Sequence, residues 1–338
     1  MNASKRGLLS AGVLVLAVLV PELTLRVCGF QYRSGVQFGF PNPETMASFE
    51  TDARLFWKLK TPPDPAHARG DTAGNSRGFP GPDPAVPKAA DAYRALFLGD
   101  SCTFQGYPWI AEETLRSQRI PTGKRAEAVS FAVPGYTSLQ GRRAAEDFGL
   151  SVEPDVVFVY FGWNDHWAAY GQIDSKKVVE TSKVAAGAFE GSRLVQATAW
   201  LAGKWFGRKA LDLPRVLPEE YRENLLAMHA IFAARGVPVV FLTAPTTFYR
   251  IGVPKKLVED RFAASEDSAI ALHKQYNAIV REVAASSKAF LLDLEAECDA
   301  SSDLPRWFLK DGVHFSPEGR QWLAGRITAF LRDEVLPK

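Results

Sequence analysis

Beyond Ala89 the sequence alternates between short apolar runs and longer helix-like stretches, which limits the possible folds more than any other feature. The first run, Arg94–Leu98, is mostly apolar and bounded by polar residues, as is typical of a strand buried on both faces. Similar runs follow at Ala128–Val133, Val156–Phe161, Val237–Thr243 and Ala289–Leu294. The helix-like stretches lie near Trp109–Gln118, Leu139–Leu150, Pro218–Arg235 and Glu266–Ser286, with a last one from Pro317 to about Val335. This order predicts an α/β protein, a three-layer α/β/α sandwich with a five-stranded parallel sheet in a domain over residues 89–338.

One helical insertion near residues 167–214 interrupts this alternation. Its apolar side chains could share one helical face, and its arginines and lysines give it a basic character. The face consists of Phe189, Leu194, Ala197, Leu201 and Trp205. We expect a helix packed on the core, because helical apolar stripes usually pack; a lid or a surface resting on a membrane is the alternative.

The N-terminal residues 1–29 are typical of a targeting segment. Lys5 and Arg6 precede the apolar run Gly7–Val20, which is short for a full membrane span. An ion pair between Glu22 and Arg26 would extend the helix toward the length that a bilayer requires. We therefore expect an uncleaved signal anchor forming a transmembrane helix, with a cleaved signal peptide as the alternative. Basic residues ahead of the run place the catalytic domain outside the cytoplasm, periplasmic or extracellular, and secreted if the segment is cleaved.

Residues 30–88 are rich in proline and glycine, which predicts a linker or a strap over the domain. Within it, Leu55–Leu59 is too apolar for a free linker and is expected to dock on the domain.

Composition excludes several classes of function. The formal net charge of +2 gives no whole-molecule field for nucleic acid, so no nucleic-acid partner is expected. The cysteines, Cys28, Cys102 and Cys298, are widely separated and lack zinc-site spacing. No phosphate-binding, dinucleotide or zinc-hydrolase motif appears, so neither a cofactor nor a metal is expected.

Four short motifs contain the polar residues that could take part in a reaction, and each is predicted to lie at the end of a strand. They are Gly99-Asp100-Ser101, Ala132-Val133-Pro134-Gly135-Tyr136-Thr137-Ser138, Phe161-Gly162-Trp163-Asn164-Asp165 and Asp311-Gly312-Val313-His314-Phe315-Ser316. The carboxyl ends of parallel strands meet at one edge of the sheet, where ligands bind in such folds. The motifs are therefore expected to converge.

The residue types in these motifs suit acyl transfer. Ser101 could cap the following helix, act as a nucleophile, or do both. His314 is the candidate base, and Asp311, three residues earlier on a tight turn, could orient its ring. The N–H groups of Ser101 and Gly135 and the side-chain amide of Asn164 could form an oxyanion hole.

Other residues near the motifs have less specific roles. Asp100 and Asp165 are expected to hold backbone loops. Trp163 and His166 flank Asn164 and are candidates for lining the substrate cleft, with packing in the core as the equal alternative.

Together, G-D-S, the glycine of V-P-G-Y-T-S, G-W-N-D and D-G-V-H resemble the four blocks of the SGNH, or GDSL-type, hydrolases over roughly Ala92 to Leu331. The resemblance implies a flavodoxin-like sandwich, with Ser101, Asp311 and His314 as catalytic triad and Ser101, Gly135 and Asn164 as oxyanion hole. Cys102 departs from the leucine that the family often has there.

The resulting hypothesis is a membrane-anchored serine esterase that hydrolyses small acyl esters, including acetyl groups on an envelope or secreted polysaccharide. An O-acyltransferase using the same triad is the first alternative. A non-catalytic glycan-binding module is the alternative from another class.

Overall fold

The computed structural model describes residues 3–30, 48–61, 74–118, 120, 123–177, 191–206 and 210–336. The strands are β1 Phe49–Asp52, β2 Phe56–Leu59, β3 Ala92–Gly99, β4 Arg125–Ala132, β5 Val156–Tyr160, β6 Ala168–Tyr170, β7 Ala210–Pro214, β8 Val239–Leu242 and β9 Phe290–Leu292. The helices are α1 Ala3–Val27, α2 Ser101–Phe104, α3 Tyr107–Gln118, α4 Ser138–Ala144, α5 Trp163–His166, α6 Arg193–Phe206, α7 Pro218–Ala233, α8 Phe248–Ile251, α9 Lys255–Glu259, α10 Glu266–Ser287, α11 Leu294–Asp299, α12 Leu304–Trp307 and α13 Pro317–Phe330.

The central sheet contains five parallel strands in the order β4-β3-β5-β8-β9. Its strand β3 sends alternate side chains to opposite faces, so that Phe97 stacks on Phe158 on one face while Leu96 and Leu98 are buried on the other. Helices α3 and α13 pack together on the first side, and α4, α7 and α10 cover the second. The predicted α/β fold with its five-stranded parallel sheet is confirmed.

The strap contributes a β-hairpin to the second face. Strands β1 and β2 pair antiparallel, and Phe56 and Trp57 are fully buried. Phe79 stacks on Phe131 of β4 at 4.4 Å between ring centroids. The predicted docking of Leu55–Leu59 on the domain is therefore confirmed.

The insertion is held at its base by the antiparallel pair β6 and β7. Its helix α6 contacts α1, and Leu201 of the predicted face is 46% exposed, so this side chain does not pack on the core as expected. Phe189 of the predicted face lies outside the described residues.

Helix α1 contains the predicted ion pair, with Arg26 Nε 2.7 Å from Glu22 Oε1. Glu22 also accepts the backbone N–H groups of Arg193 and Leu194, at 3.0 and 2.7 Å, at the start of α6. Among the residues that the structure describes, no helix is both long and apolar enough to cross a membrane. The predicted transmembrane helix is therefore not supported.

Candidate active site

Ser101 lies where β3 ends and α2 begins. The expectation that Ser101 could itself cap this helix is wrong: Asp100 is the N-cap, and its carboxylate accepts the N–H of Cys102 at 2.9 Å. The Ser101 hydroxyl is thereby free for another partner, and its Oγ lies 2.8 Å from Nε2 of His314.

His314 is oriented by Asp311 from within the same turn. Asp311 Oδ2 lies 2.8 Å from Nδ1 of His314, while its Oδ1 accepts the N–H groups of Val313 and His314 at 2.9 Å each. Gly312 adopts φ +68° in this turn, and a Cβ there would lie 2.4 Å from Thr247 Oγ1. Because the Asp311 carboxylate only accepts, it requires the proton on Nδ1, which leaves the Nε2 lone pair to accept from the serine hydroxyl.

The electrostatics of this pair favour a charged imidazolium. Burial lowers the pKa of His314, but the hydrogen bond and the charge of Asp311 outweigh it, so that the pKa lies above its usual value. Burial likewise raises the pKa of Asp311, and the hydrogen bond to His314 outweighs it and lowers the pKa overall. Asp311 is therefore ionised when His314 takes a proton.

The Gly135 loop follows β4 directly. Gly135 has φ +82°, a conformation that favours glycine. Arg215 Nη1 donates to the Gly135 carbonyl at 2.9 Å, and Trp57 Nε1 donates to the Pro134 carbonyl at 3.1 Å. Tyr136 donates its hydroxyl to the carbonyl of Trp57 at 2.7 Å. Trp57 of the strap and Arg215, which follows the insertion directly, thus hold this loop through hydrogen bonds.

Asn164 is held by the residue that caps α2. Its Nδ2 donates to Asp100 Oδ2 at 3.3 Å, which occupies one of the two amide hydrogens and leaves the other for a ligand. Asp100 is fully buried, and burial raises its pKa to about 6. The nucleophile turn and the Asn164 turn therefore share one carboxylate.

Asp165 joins two of the motif loops. It accepts the Ser138 N–H at 2.8 Å through Oδ1 and the Gly162 N–H at 3.1 Å through Oδ2. Burial raises its pKa to about 7. Like Asp100, it holds backbone as the sequence predicted.

Gln105 is a site residue that sequence reasoning missed. Its side chain accepts the Phe315 N–H at 2.9 Å and donates to the Phe315 carbonyl at 3.1 Å, one residue after His314. It follows α2 directly, so it ties the helix of Ser101 to the loop of His314. The pairing spans 210 positions of sequence and leaves no local signal.

The remaining candidates are buried. Trp163 is 1% exposed and stacks on His273 at 4.1 Å between centroids, and His166, also 1% exposed, lines a separate cavity. Cys102 is fully buried, and burial raises the pKa of its thiol. Within the described part of the chain, no group of three or more histidine, cysteine or acidic residues is placed to hold a metal ion.

The sequence profile of the GDSL-like lipase/acylhydrolase family matches residues 97–322. The chain belongs to this family. This GDSL-type protein is accordingly a hydrolase that acts on ester bonds. No curated protein matches the sequence.

Solved structures similar to this GDSL-type hydrolase include a lipase/acylhydrolase from Enterococcus faecalis, at 17% identity and a TM-score of 0.48 over 73% of this chain and 98% of that one. The acetyl xylan esterase AlAXEase is similar at 17% identity and a TM-score of 0.45, over 70% and 98% of the two chains.

Proposed function

We propose that the protein is a serine esterase that works through an acyl-enzyme on Ser101, with His314 as base and Asp311 as its orienting acid. The observation that carries this proposal is the continuous hydrogen-bonded chain from Ser101 Oγ through the His314 ring to Asp311, at 2.8 Å in each link. A serine hydroxyl becomes a useful nucleophile when a neighbouring imidazole takes its proton.

In the first half of the reaction, Ser101 Oγ attacks the ester carbonyl carbon while His314 Nε2 takes the hydroxyl proton. The tetrahedral oxyanion is stabilised by the N–H groups of Ser101 and Gly135 and by the free amide hydrogen of Asn164. Collapse breaks the bond to the alkoxy group, which leaves as an alcohol with the proton from His314. Asp311 stabilises the imidazolium that exists between these two steps.

In the second half, water attacks the acyl-enzyme and gives its proton to His314. The intermediate then collapses to the free acid, and the proton returns to Ser101. If a sugar hydroxyl replaced water, the same steps would transfer the acyl group. Product analysis separates these outcomes, since hydrolysis gives free acid and transfer gives a new ester.

The substrate that we propose is a small acyl ester, including acetyl groups on an envelope or secreted polysaccharide. Assay of the purified protein on nitrophenyl esters of rising chain length tests the reaction class. Ser101→Ala should abolish turnover, and Asn164→Ala should lower kcat by roughly a hundred- to a thousandfold. Ser117→Ala, which alters an exposed serine on α3, is the matched control and should leave turnover unchanged. Glycan binding with unchanged ester content would instead favour a non-catalytic module.

We further propose that α1 attaches the enzyme to a membrane, with its catalytic domain outside the cytoplasm. The support is a series of solvent-exposed apolar side chains along the helix, among them Val13, Leu16, Leu23 and Val27 at 59–88% exposure. Cell fractionation of the full chain beside a form that begins at residue 31 tests this. Equal distribution of the two forms would contradict it.

A further inference from the structure

Four buried residues that lead into α8 belong to none of the sequence motifs of the site. They are residues 244–247, here called the β8 exit loop, which follow β8 after Thr243. On one side the loop contacts the turn that contains His314, and on the other it contacts α10, which in turn contacts the helix that contains Asn164. The loop is therefore placed to hold the proposed base and one proposed oxyanion donor in a fixed relation.

The exit loop holds the turn of the base through the carbonyl oxygen of Gly312. Thr246 Oγ1 donates to this oxygen at 3.1 Å, and the Thr247 N–H donates to it at 3.4 Å. Thr246 Oγ1 also accepts the N–H of Phe248 at 3.1 Å, so this buried hydroxyl has a partner for its proton and for a lone pair. Gly312 lies between the acid and the base of the proposed triad. A shift of its peptide would therefore move the imidazole relative to the nucleophile.

His273 of α10 connects the same loop to the helix of the oxyanion donor. Its Nε2 lies 2.7 Å from the carbonyl oxygen of Ala244, and its Nδ1 lies 3.1 Å from Nε2 of His166. The His273 ring also stacks on Trp163 at 4.1 Å between centroids. Trp163 and His166 are the first and last residues of α5, and Asn164 lies between them. One buried side chain therefore contacts the exit loop and both ends of the helix that contains the amide.

The hydrogen bonds of His273 are directional. A carbonyl oxygen only accepts, so His273 donates to Ala244 from Nε2 and accepts at Nδ1 the proton of His166 Nε2. Burial lowers the pKa of His273 to about 4 and that of His166 well below its usual value, so both rings are neutral near pH 7. Asn277, one turn along α10, holds Ala244 as well, since it accepts the Ala244 N–H at 2.8 Å and donates to the Ala244 carbonyl at 2.9 Å. The start of the exit loop is therefore fixed to α10.

We propose that Thr246 and His273 are positioning residues, which fix the base relative to the oxyanion donor through the exit loop. The inference rests on the esterase reaction proposed above. In that reaction the imidazole of His314 takes the serine proton while the amide of Asn164 binds the oxyanion of the same tetrahedral intermediate. Both groups must therefore be aligned at once, and a misplacement of about 1 Å can cost up to about a hundredfold in rate.

Thr246→Val tests the contact with the turn of the base, because it removes the hydroxyl and keeps the shape of the side chain. We expect kcat for nitrophenyl ester hydrolysis to fall by on the order of tenfold with little change in KM, since the aligned base acts in the transition state. Thr246→Ser keeps the hydroxyl and should retain most of the kcat.

Thr243→Val is the matched control. Thr243 is also buried, and its Oγ1 donates to Asp293 at 2.9 Å and accepts the Glu295 N–H at 2.9 Å. This variant loses as many hydrogen bonds as Thr246→Val but none to the turn of the base. Urea unfolding should show a loss of stability in both variants, whereas kcat should fall only in Thr246→Val. An unchanged kcat in Thr246→Val, or equal losses of kcat in the two valine variants, would overturn the proposal.

His273→Gln tests the contact with the helix of the oxyanion donor. The glutamine amide can still donate to the Ala244 carbonyl, but it leaves His166 Nε2 without its acceptor and Trp163 without the stacked ring. We expect kcat to fall by on the order of tenfold. In the Asn164→Ala background the same substitution should have little further effect, because the amide that it positions is gone. Equal losses in the two backgrounds would show that His273 supports only the fold, and would overturn its positioning role.

Failure of this proposal can be told apart from failure of the proposed reaction. Turnover that persisted in Ser101→Ala would contradict the reaction itself. An inactive Ser101→Ala, beside an unaltered kcat in both Thr246→Val and His273→Gln, would contradict only the positioning roles.

Discussion

Replacing Arg215 with methionine should destabilise both the fold and the Gly135 loop. Arg215 is 7% exposed and donates through Nε and Nη2 to Asp174, at 3.3 and 2.8 Å, while Nη1 holds the Gly135 carbonyl at 2.9 Å. Asp174 is fully buried. Methionine keeps an unbranched apolar stem of similar length but can donate no hydrogen bond.

The expected loss of stability follows from the buried carboxylate. Removing one partner of a buried ion pair costs about 3–5 kcal/mol. Asp174 keeps Lys177 and the Thr137 hydroxyl, so we expect the low end, about 3 kcal/mol. Urea unfolding measures this difference in the free energy of unfolding. Arg222→Met, which removes an exposed ion pair with Glu282, is the control and should cost about 1 kcal/mol or less.

The dependence of this loss on pH is a second signature. Burial raises the pKa of Asp174, but Arg215 and Lys177 outweigh it and hold the pKa below its usual value. The stability that a lowered carboxylate pKa supplies is present above the unfolded-state pKa of about 4 and is lost as the pH falls through the folded-state pKa. The difference between Arg215→Met and the unaltered protein should therefore narrow below about pH 4.

In the proposed mechanism the Gly135 N–H binds the oxyanion, so displacing the Gly135 loop should also slow catalysis. We expect kcat to fall by on the order of tenfold to a hundredfold, with a smaller change in KM. Equal stability and equal kcat in Arg215→Met and the unaltered protein would show that Arg215 neither stabilises the fold nor positions the Gly135 loop.

Three further predictions concern the other contacts of the site. Asp311→Asn should lower kcat by on the order of 10⁴-fold, because the amide can donate to the ring and favour the wrong tautomer; steady-state kinetics with an activated ester measures this, and a loss of less than tenfold would contradict it. In the unaltered protein, kcat/KM should rise with pH through a midpoint above 6.5, since Asp311 raises the pKa of His314 and only the neutral ring accepts a proton, and Asp311→Asn should move that midpoint down. Gln105→Leu should lower kcat by roughly tenfold with an unchanged fold by circular dichroism, because two hydrogen bonds to Phe315 are lost; an unchanged kcat would exclude the positioning role.

The sequence was most informative where the signal was local. A strand buried on both faces of a parallel sheet is a run of apolar residues, so the five runs predicted the five strands. The strand ends in the structure differ from the predicted ends by three residues at most. The contact of Asp311 with His314 could be predicted for the same reason, because the hydrogen bonds of this turn join residues no more than three positions apart.

The supports of the site could not be found in this way, because they join distant parts of the chain. Gln105 meets Phe315, and Arg215 reaches Gly135 across 80 positions from the end of a segment interpreted as an insertion. Whether Asp100 or Ser101 caps α2 depends on the geometry of a single turn, since both residue types cap helices well. The contacts of α6 with α1 likewise depend on tertiary packing, which periodicity does not encode.

The proposed mechanism requires Ser101 to form a covalent acyl-enzyme. Treatment of the purified protein with a serine-directed fluorophosphonate, followed by peptide mass spectrometry, tests this most directly. We expect one adduct on Ser101, which should be absent in Ser101→Ala and form much more slowly in Asp311→Asn. An adduct on another residue, or none on a protein that still hydrolyses esters, would contradict it.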